Sequence, residues 1–467
     1  MRVLLVDLPA RDGIVSKDTV VGGYGSRLLP FTRVTAVIGT LKERLHAVPS
    51  VQMAYLAGVL SQYGHEVIWS HGEFPETGRP DVAIVLSSLV DYRNETAWAD
   101  QARARGIRTG FVGLTASKLP ELFRDHADFV ILGEPESAVQ RLARGETLTG
   151  DCVSDPINDL DSLPFPRWNM RPAEKRRFTL PFAGRGNGGG IPLLASRGCP
   201  EFCTYCPHRI LAGHRERSVA NILEELDVLN RTFRRPYVIF RDPLFTVNRD
   251  RAMELAEGIR SRGFDLRFEC ETRIDRLDPA LLNALHAAGL RAMSFGVESM
   301  SPETLKKVGR RPTPEAQQRL IINQCRELGV ATAAFYVLGF LHDDWQSIAA
   351  TIDYSIDLGS TVAQFKLLTP YPGTPLFKQM RPRIFETDWQ KFDGFTPTFE
   401  HPNLTALEMK FLLGAAYNRF YLRPSWLADW ARVTAPSVRA GVRRLDERAN
   451  ARHARLEISD MQRSVSC

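Results

Sequence analysis

The chain has no uninterrupted apolar run of about 18 residues, the length a helix needs to cross a bilayer, so no membrane span is predicted. The N-terminal segment enters the strand-like Arg2-Val-Leu-Leu-Val-Asp7 directly, with no apolar leader and cleavage site, and a cytoplasmic location is expected. Paired cysteines are also missing. Of seven, only Cys199, Cys203 and Cys206 lie close together; Cys152, Cys270, Cys325 and Cys467 are scattered. That excludes a disulfide framework and fits a reducing compartment. A net charge of +6 over 467 residues is mild, and no strongly basic block dominates outside the last 50 residues. Nucleic acid is therefore not expected as the main partner. No G-x-G-x-x-G follows the first strand, which weighs against a dinucleotide site.

What is present centres on Ser196-Arg-Gly-Cys-Pro-Glu-Phe-Cys-Thr-Tyr-Cys-Pro-His208. Cys199, Cys203 and Cys206 have C-x3-C-x2-C spacing. Three thiolates on one tight loop suit a [4Fe–4S] cluster and leave one of its irons open to bind something else. The competing reading is a structural zinc closed by a fourth ligand, with His208 as the candidate.

Residues 1–150 alternate short apolar runs with helix-length amphipathic segments. Strands are expected at 3–6, 65–69, 82–86, 109–112 and 129–132, and helices at 49–63, 94–105 and 118–124. Apolar strands alternating with helices imply an α/β domain with a parallel sheet covered on both faces. Ligands of such sheets bind beyond the strands' carboxyl ends. Residues 22–42 fit no clear element and are read as a loop over the ligand or the substrate. Residues 151–190, with Pro156, Pro164, Pro166 and the glycine-rich 184–190, read as a linker. Residues 191–395 show six further β/α units. Their strands end at Ala195, Arg241-Asp242, Glu271-Thr-Arg273, Gly296-Val-Glu298, Gly339-Phe340 and Thr369-Pro-Tyr-Pro-Gly373. In β/α barrels these ends carry the active site. Residues 396–467 read as a helical, arginine-rich tail, with a helix at 404–421 and a solvated basic stretch from Arg432 to Arg455.

The first domain resembles the cobalamin-binding domain, which carries D-x-H-x-x-G after strand one, S-x-L after strand three and Gly-Gly after strand four. Asp7 is kept, Pro9 stands at the histidine position, Ser87 and Leu89 keep S-x-L, and Gly113 is followed by Leu114. The resemblance implies a Rossmann-like domain whose cobalamin is met by Asp7, Pro9, Ser87, Leu89, Gly113, Thr115, Gly133 and Glu134. No protein imidazole would then ligate cobalt.

Residues 191–395 resemble the radical S-adenosylmethionine (SAM) superfamily, which implies a partial (β/α)6 TIM-type barrel. Cys199, Cys203 and Cys206 would ligate a [4Fe–4S] cluster whose open iron is chelated by SAM. Tyr205 would contact the adenine. Asp242 falls where the family presents polar groups to the methionyl amine, usually as Gly-Gly-Glu. Glu298 would accept the ribose hydroxyls, Arg273 and Arg310 would meet the carboxylate, and Gly339 would let the adenine approach. With the open iron so occupied, His208 becomes an ordinary loop or surface residue. A cobalamin-type domain ahead of such a barrel is the arrangement of the class B radical methylases. It implies methyl transfer from methylcobalamin to an unactivated carbon by way of a 5′-deoxyadenosyl radical. The same arrangement also hosts cyclisations, rearrangements and oxidations. The implied partners are a small-molecule or lipid substrate and a one-electron reductant such as flavodoxin or ferredoxin. A rival from another class is a non-enzymatic iron–sulfur or cobalamin sensor.

Overall fold

The computed structural model describes residues 1–10, 14–17, 23–45, 48–170, 190–233, 235–426 and 428. Most of the glycine-rich stretch read as linker, the arginine-rich tail and Cys467 lie outside these residues.

The first unit runs β1 (Arg2–Val6), β2 (Ile14–Ser16), β3 (Ser26–Leu28), α1 (Arg33–Leu45), α2 (Val51–Gln62) and β4 (Glu66–Ser70). It continues β5 (Val82–Leu86), α3 (Tyr92–Ala104), β6 (Arg108–Val112), α4 (Leu114–Lys118), β7 (Phe129–Gly133), α5 (Glu136–Ala143) and β8 (Gly150–Ser154). Six strands form one parallel sheet in the order β4-β1-β5-β6-β7-β8. Every residue of β5 is buried, as a strand covered on both faces must be. The strand order turns back between β1 and β5, which places a crevice at their carboxyl ends. Ser50 caps α2 by accepting the Met53 N–H at 3.3 Å.

The second unit runs β9 (Ile191–Leu193), β10 (Ser196–Arg197), α6 (His208–Leu211), β11 (Arg215–Glu216), α7 (Val219–Thr232), β12 (Tyr237–Phe240), α8 (Arg249–Ser261) and β13 (Arg267–Thr272). It continues α9 (Pro279–Ala287), β14 (Leu290–Glu298), α10 (Pro302–Lys307), α11 (Glu315–Leu328), β15 (Ala331–Leu338), α12 (Trp345–Leu358), β16 (Val362–Leu367), α13 (Pro375–Met380) and α14 (Ala406–Tyr421). Its parallel sheet, β9-β12-β13-β14-β15-β16, follows chain order and leaves β9 and β16 as free edges: an open barrel of six strands. Burial alternates along β13 to β16. The buried positions lie under the helices, and Glu269, Glu271, Glu298, Phe335 and Lys366 stay half-exposed on the concave side. The β16 edge is covered by α14. The Tyr417 hydroxyl accepts the Phe365 N–H at 3.3 Å and donates to its carbonyl at 3.0 Å, and Tyr421 does the same for Ala363 at 3.0 and 2.6 Å.

The carboxyl ends of the two sheets meet. Tyr24, Leu89, Leu114 and Leu119 of the first unit pack with Phe392, Ile210, Tyr371 and Trp389 of the second. The Tyr24 ring stacks on Tyr371 at 5.4 Å, and its hydroxyl donates to the Pro372 carbonyl.

Three expectations change. Residues 22–42 hold β3 and most of α1, and β3 pairs antiparallel with β2. Those strands are too short to show a period. The helix expected at 118–124 is instead α4 followed by two 3₁₀ turns, because Pro120 supplies no amide hydrogen to continue α4. The stretch read as linker begins with β8, a sixth sheet strand whose Asp151 and Val153 are exposed, which hides the apolar signal.

Candidate active site

The cysteine loop leaves β10 through Gly198 at φ +72°, where a side chain would meet the Gly213 carbonyl at 2.5 Å. Backbone bonds then fix it. The Thr204 N–H donates to the Val308 carbonyl at 2.9 Å, and Leu376 N–H donates to the Thr204 carbonyl at 3.1 Å. Cys203 is buried, while Cys199 and Cys206 are half-buried. Burial pushes the Cys199 and Cys206 thiols up, so holding metal there means displacing protons.

Among the described residues no three His, Cys, Asp or Glu side chains converge closely enough to share one metal ion. Zn–S bonds of about 2.3 Å would draw ligand sulfurs to within roughly 4 Å of each other. Thiolates that each hold a separate iron of a cube need no such convergence. His208 begins α6 and lies near Arg241 and Lys366; burial and those two cations lower its pKa to about 4. It is half-buried at the barrel mouth rather than a surface residue, and it does not close a zinc site.

Beside Cys203 the structure brings together Tyr205, Glu298, Arg310 and the Gly339–Phe340 turn. Arg310 Nη1 lies 4.0 Å from Cys203 Sγ and 3.6 Å from Glu298 Oε1, and Nη2 donates to the Gly296 carbonyl at 2.5 Å. Burial raises the Glu298 pKa, and Arg310 and the Tyr205 hydroxyl oppose it. Glu298 has φ +68°, a left-handed conformation that costs a non-glycine residue about 1–2 kcal/mol. Such strain persists where the surroundings enforce it, commonly at functional sites. Its carboxylate folds over Gly296, where an added Cβ would lie 2.1 Å from Oε1. The Tyr205 ring meets Phe340 edge-on at 5.5 Å. Gly339 turns at φ +84°, and its N–H donates to Asp343 Oδ2 at 3.1 Å.

Two SAM-site candidates are occupied differently. Asp242 is fully buried and accepts the Ala195 N–H at 3.0 Å and the Ser196 hydroxyl at 2.5 Å. Both oxygens anchor the lead-in to the cysteine loop, which corrects the expectation that they face a ligand amine. Arg273 donates to both oxygens of Asp275 at 2.8 Å and to the Arg311 carbonyl at 2.8 Å. Its buried Nη1 has no hydrogen-bond partner and stands 3.8 Å from Glu201.

On the first unit, Gly113 and Gly133 have φ +111° and +105°. A side chain at Gly133 would meet the Ser154 carbonyl at 2.7 Å. Thr115 is buried and its hydroxyl has no partner, an orphan polar atom that a bound group would satisfy. Leu89 is packed in the contact between the two units, and its N–H donates to the Tyr24 carbonyl at 2.8 Å. Ser87 is internally satisfied, donating to the Val112 carbonyl at 2.7 Å and accepting the Ala116 N–H at 3.0 Å. Pro9 is exposed. Asp7 is half-buried, and its carbonyl accepts from His71 Nδ1 at 3.0 Å.

Glu134 is not free for a ligand: it pairs with Arg197 at 2.7 Å and with Arg215. Sequence reasoning missed Arg197, which no local pattern marks as buried. It also missed Lys17, which follows β2, donates to the Leu8 carbonyl at 2.8 Å and pairs with Glu95 at 2.9 Å.

Residues 193–354 match the family model of the radical SAM superfamily. The chain is 28% identical to an uncharacterized methyltransferase of Pyrococcus horikoshii, over 64% of this chain and 68% of that one. It is 27% identical to the bacteriochlorophyllide d C-12(1)-methyltransferase of Chlorobaculum tepidum, over 69% and 71%. Its fold matches the radical SAM methyltransferase TsrM of Kitasatospora setae, solved with cobalamin and a [4Fe–4S] cluster bound. The TM-score is 0.61 at 16% identity, covering 94% of this chain and 99% of that one. Residues 193–354 thus match the radical SAM superfamily, and the chain as a whole has the fold of TsrM.

Proposed function

We propose that this chain is a radical SAM enzyme that transfers a methyl group from cobalamin to an unactivated carbon of its substrate. One observation carries the reading: Cys203, Arg310, Glu298 and Tyr205 converge at a barrel mouth that faces the carboxyl ends of the first sheet. Cys199, Cys203 and Cys206 would hold the cluster. Arg310, Glu298, Tyr205 and Gly339 would hold SAM, and Gly113, Thr115 and Gly133 would hold the cobalamin. Bound together, these groups supply one-electron cleavage of SAM to a 5′-deoxyadenosyl radical and a transferable methyl.

The chain's own residues orient and exclude. Asp242 fixes the strand that delivers the cysteines. Glu298, held near Arg310, presents acceptor oxygens for vicinal hydroxyls. The Arg310 guanidinium offers charge-assisted donors to a carboxylate. The apolar contact of Tyr24, Leu114 and Phe392 with Tyr371 keeps water from the seam between the units. No imidazole stands at Pro9, so the cobalamin would be held by backbone approach, without a protein ligand to cobalt.

The test is to incubate reconstituted, reduced protein with SAM, with and without hydroxocobalamin. S-adenosylhomocysteine that forms only with cobalamin is the expected result. 5′-Deoxyadenosine alone would favour cyclisation, rearrangement or oxidation, and neither product would favour a sensor.

A further inference from the structure

Residues 302–311 form a basic turn, Pro-Glu-Thr-Leu-Lys306-Lys307-Val-Gly309-Arg310-Arg311, packed against the cysteine loop. Val308 accepts the Thr204 N–H at 2.9 Å. Gly309, at φ +73°, lies so close that an added Cβ would meet the Phe202 carbonyl at 2.6 Å. Arg310 turns inward to Cys203, while Lys306, Lys307 and Arg311 turn outward and are exposed. Between Cys199 and Cys203 the loop presents Phe202, whose side chain is 66% exposed. Next to it, Glu201 accepts from the half-exposed Arg276 at 3.1 Å. The exposed Phe202 thus shares the surface of the loop and the turn packed on it with exposed Lys306, Lys307, Arg311 and Arg276, with Glu303 and Glu201 as the carboxylates of the same loop and turn.

An exposed aromatic residue among charged side chains is the pattern of a protein contact. Redox encounters are small, weak and steered by complementary charge. The patch is made of exposed side chains distinct from the buried or half-buried Tyr205, Glu298, Arg310 and Gly339. We infer that Phe202 and the Lys306-Lys307-Val-Gly-Arg-Arg311 turn form the docking surface for an acidic one-electron carrier protein, which reduces the cluster from this side. One electron leaves the carrier, oxidising it by one step, and enters the cluster; no bond is made or broken and no proton moves. The inference rests on the reading of Cys199, Cys203 and Cys206 as cluster ligands.

The test compares reconstituted wild type with the Lys306→Glu/Lys307→Glu double variant and with Phe202→Ala, using an acidic flavodoxin as the probe. Binding of oxidised flavodoxin is titrated at low and high ionic strength. Bleaching of the cluster is then timed with flavodoxin hydroquinone and with dithionite. The charge reversal should weaken flavodoxin binding about tenfold at low ionic strength and abolish most of its salt dependence. Flavodoxin-driven bleaching should slow by a similar factor, while the dithionite rate and iron content stay at wild-type values. Phe202→Ala should weaken binding at both ionic strengths. Unchanged flavodoxin affinity and rate in both variants would overturn the docking surface and leave the cluster intact. Wild-type protein that takes up no iron would overturn the cluster assignment itself.

Discussion

Arg197 Nη1 stands 2.7 Å from Glu134 Oε2, and both side chains are 2% exposed. Nη2 of the same guanidinium stands 2.8 Å from Glu136 Oε1, and its plane lies over the Tyr55 ring at 4.9 Å. Arg197 is two residues before Cys199, so the end of β7 in one unit grips the entry to the cysteine loop in the other. Removing one partner of a buried pair strands the remaining charges and costs about 3–5 kcal/mol. Arg197→Met should lose that much in urea denaturation and should also lower iron uptake on reconstitution. A loss under about 1 kcal/mol would mean that water or Arg215 compensates for the missing cation.

Cys203→Ala should abolish the visible absorbance of the reconstituted protein and most of its bound iron. His208→Ala should keep both, because the imidazole lies near Arg241 and Lys366 and belongs to no shared metal group among the described residues. Iron analysis and the absorption spectrum of the two variants decide this. Equal iron loss in both would return the imidazole to the metal site.

Asp343 supports the Gly339–Phe340 turn. Its Oδ2 accepts the N–H groups of Gly339 at 3.1 Å and Phe340 at 2.9 Å, while the buried Oδ1 has no partner. Burial outweighs the two donors and pushes its pKa up to about 6. The folded protein therefore holds this proton more tightly than the unfolded chain, whose Asp titrates near about 3.9. Between those values the native state binds more protons, so stability is full at low pH and falls as pH rises towards 6. A shift of about two pH units corresponds to roughly 3 kcal/mol. Asp343→Asn should flatten that pH dependence in thermal melts between about pH 4 and 7. An unchanged slope would assign it to other groups.

Much of this arrangement can be read from local patterns. The β5 run Val82–Leu86 is apolar throughout because both faces are covered, and the cysteine spacing sits on one loop, so both are visible in short windows. Glu298 lies at a strand end, where β/α units place polar side chains facing a ligand. Asp242 and Glu134 lie at similar ends yet are consumed by Ser196 and Arg197, partners 46 and 63 residues away. Nothing in a window of residues distinguishes an acid facing a ligand from one facing a distant arginine. The β2–β3 hairpin and β8 escape for a different reason: three-residue strands have no period, and an edge strand alternates with exposed Asp151 and Val153.

The free edge of the barrel gives the last prediction. An open edge strand exposes N–H and C=O groups that can pair with another chain. Here α14 sets Tyr417 and Tyr421 one turn apart, so that each hydroxyl satisfies both backbone groups of one β16 residue, Phe365 or Ala363. Alternate residues of a strand direct their backbone groups to the same edge, and a four-residue helical step spans that spacing. Tyr417→Phe keeps the ring but leaves the buried N–H and C=O of Phe365 unpaired, at about 1–3 kcal/mol for each group. It should therefore cost about 2 kcal/mol or more in urea denaturation. Tyr421→Phe, at a half-buried position, should cost less, because water can replace its hydroxyl. If the two single variants lose equal stability, burial does not set the cost. If neither loses any, α14 covers the edge by ring packing alone.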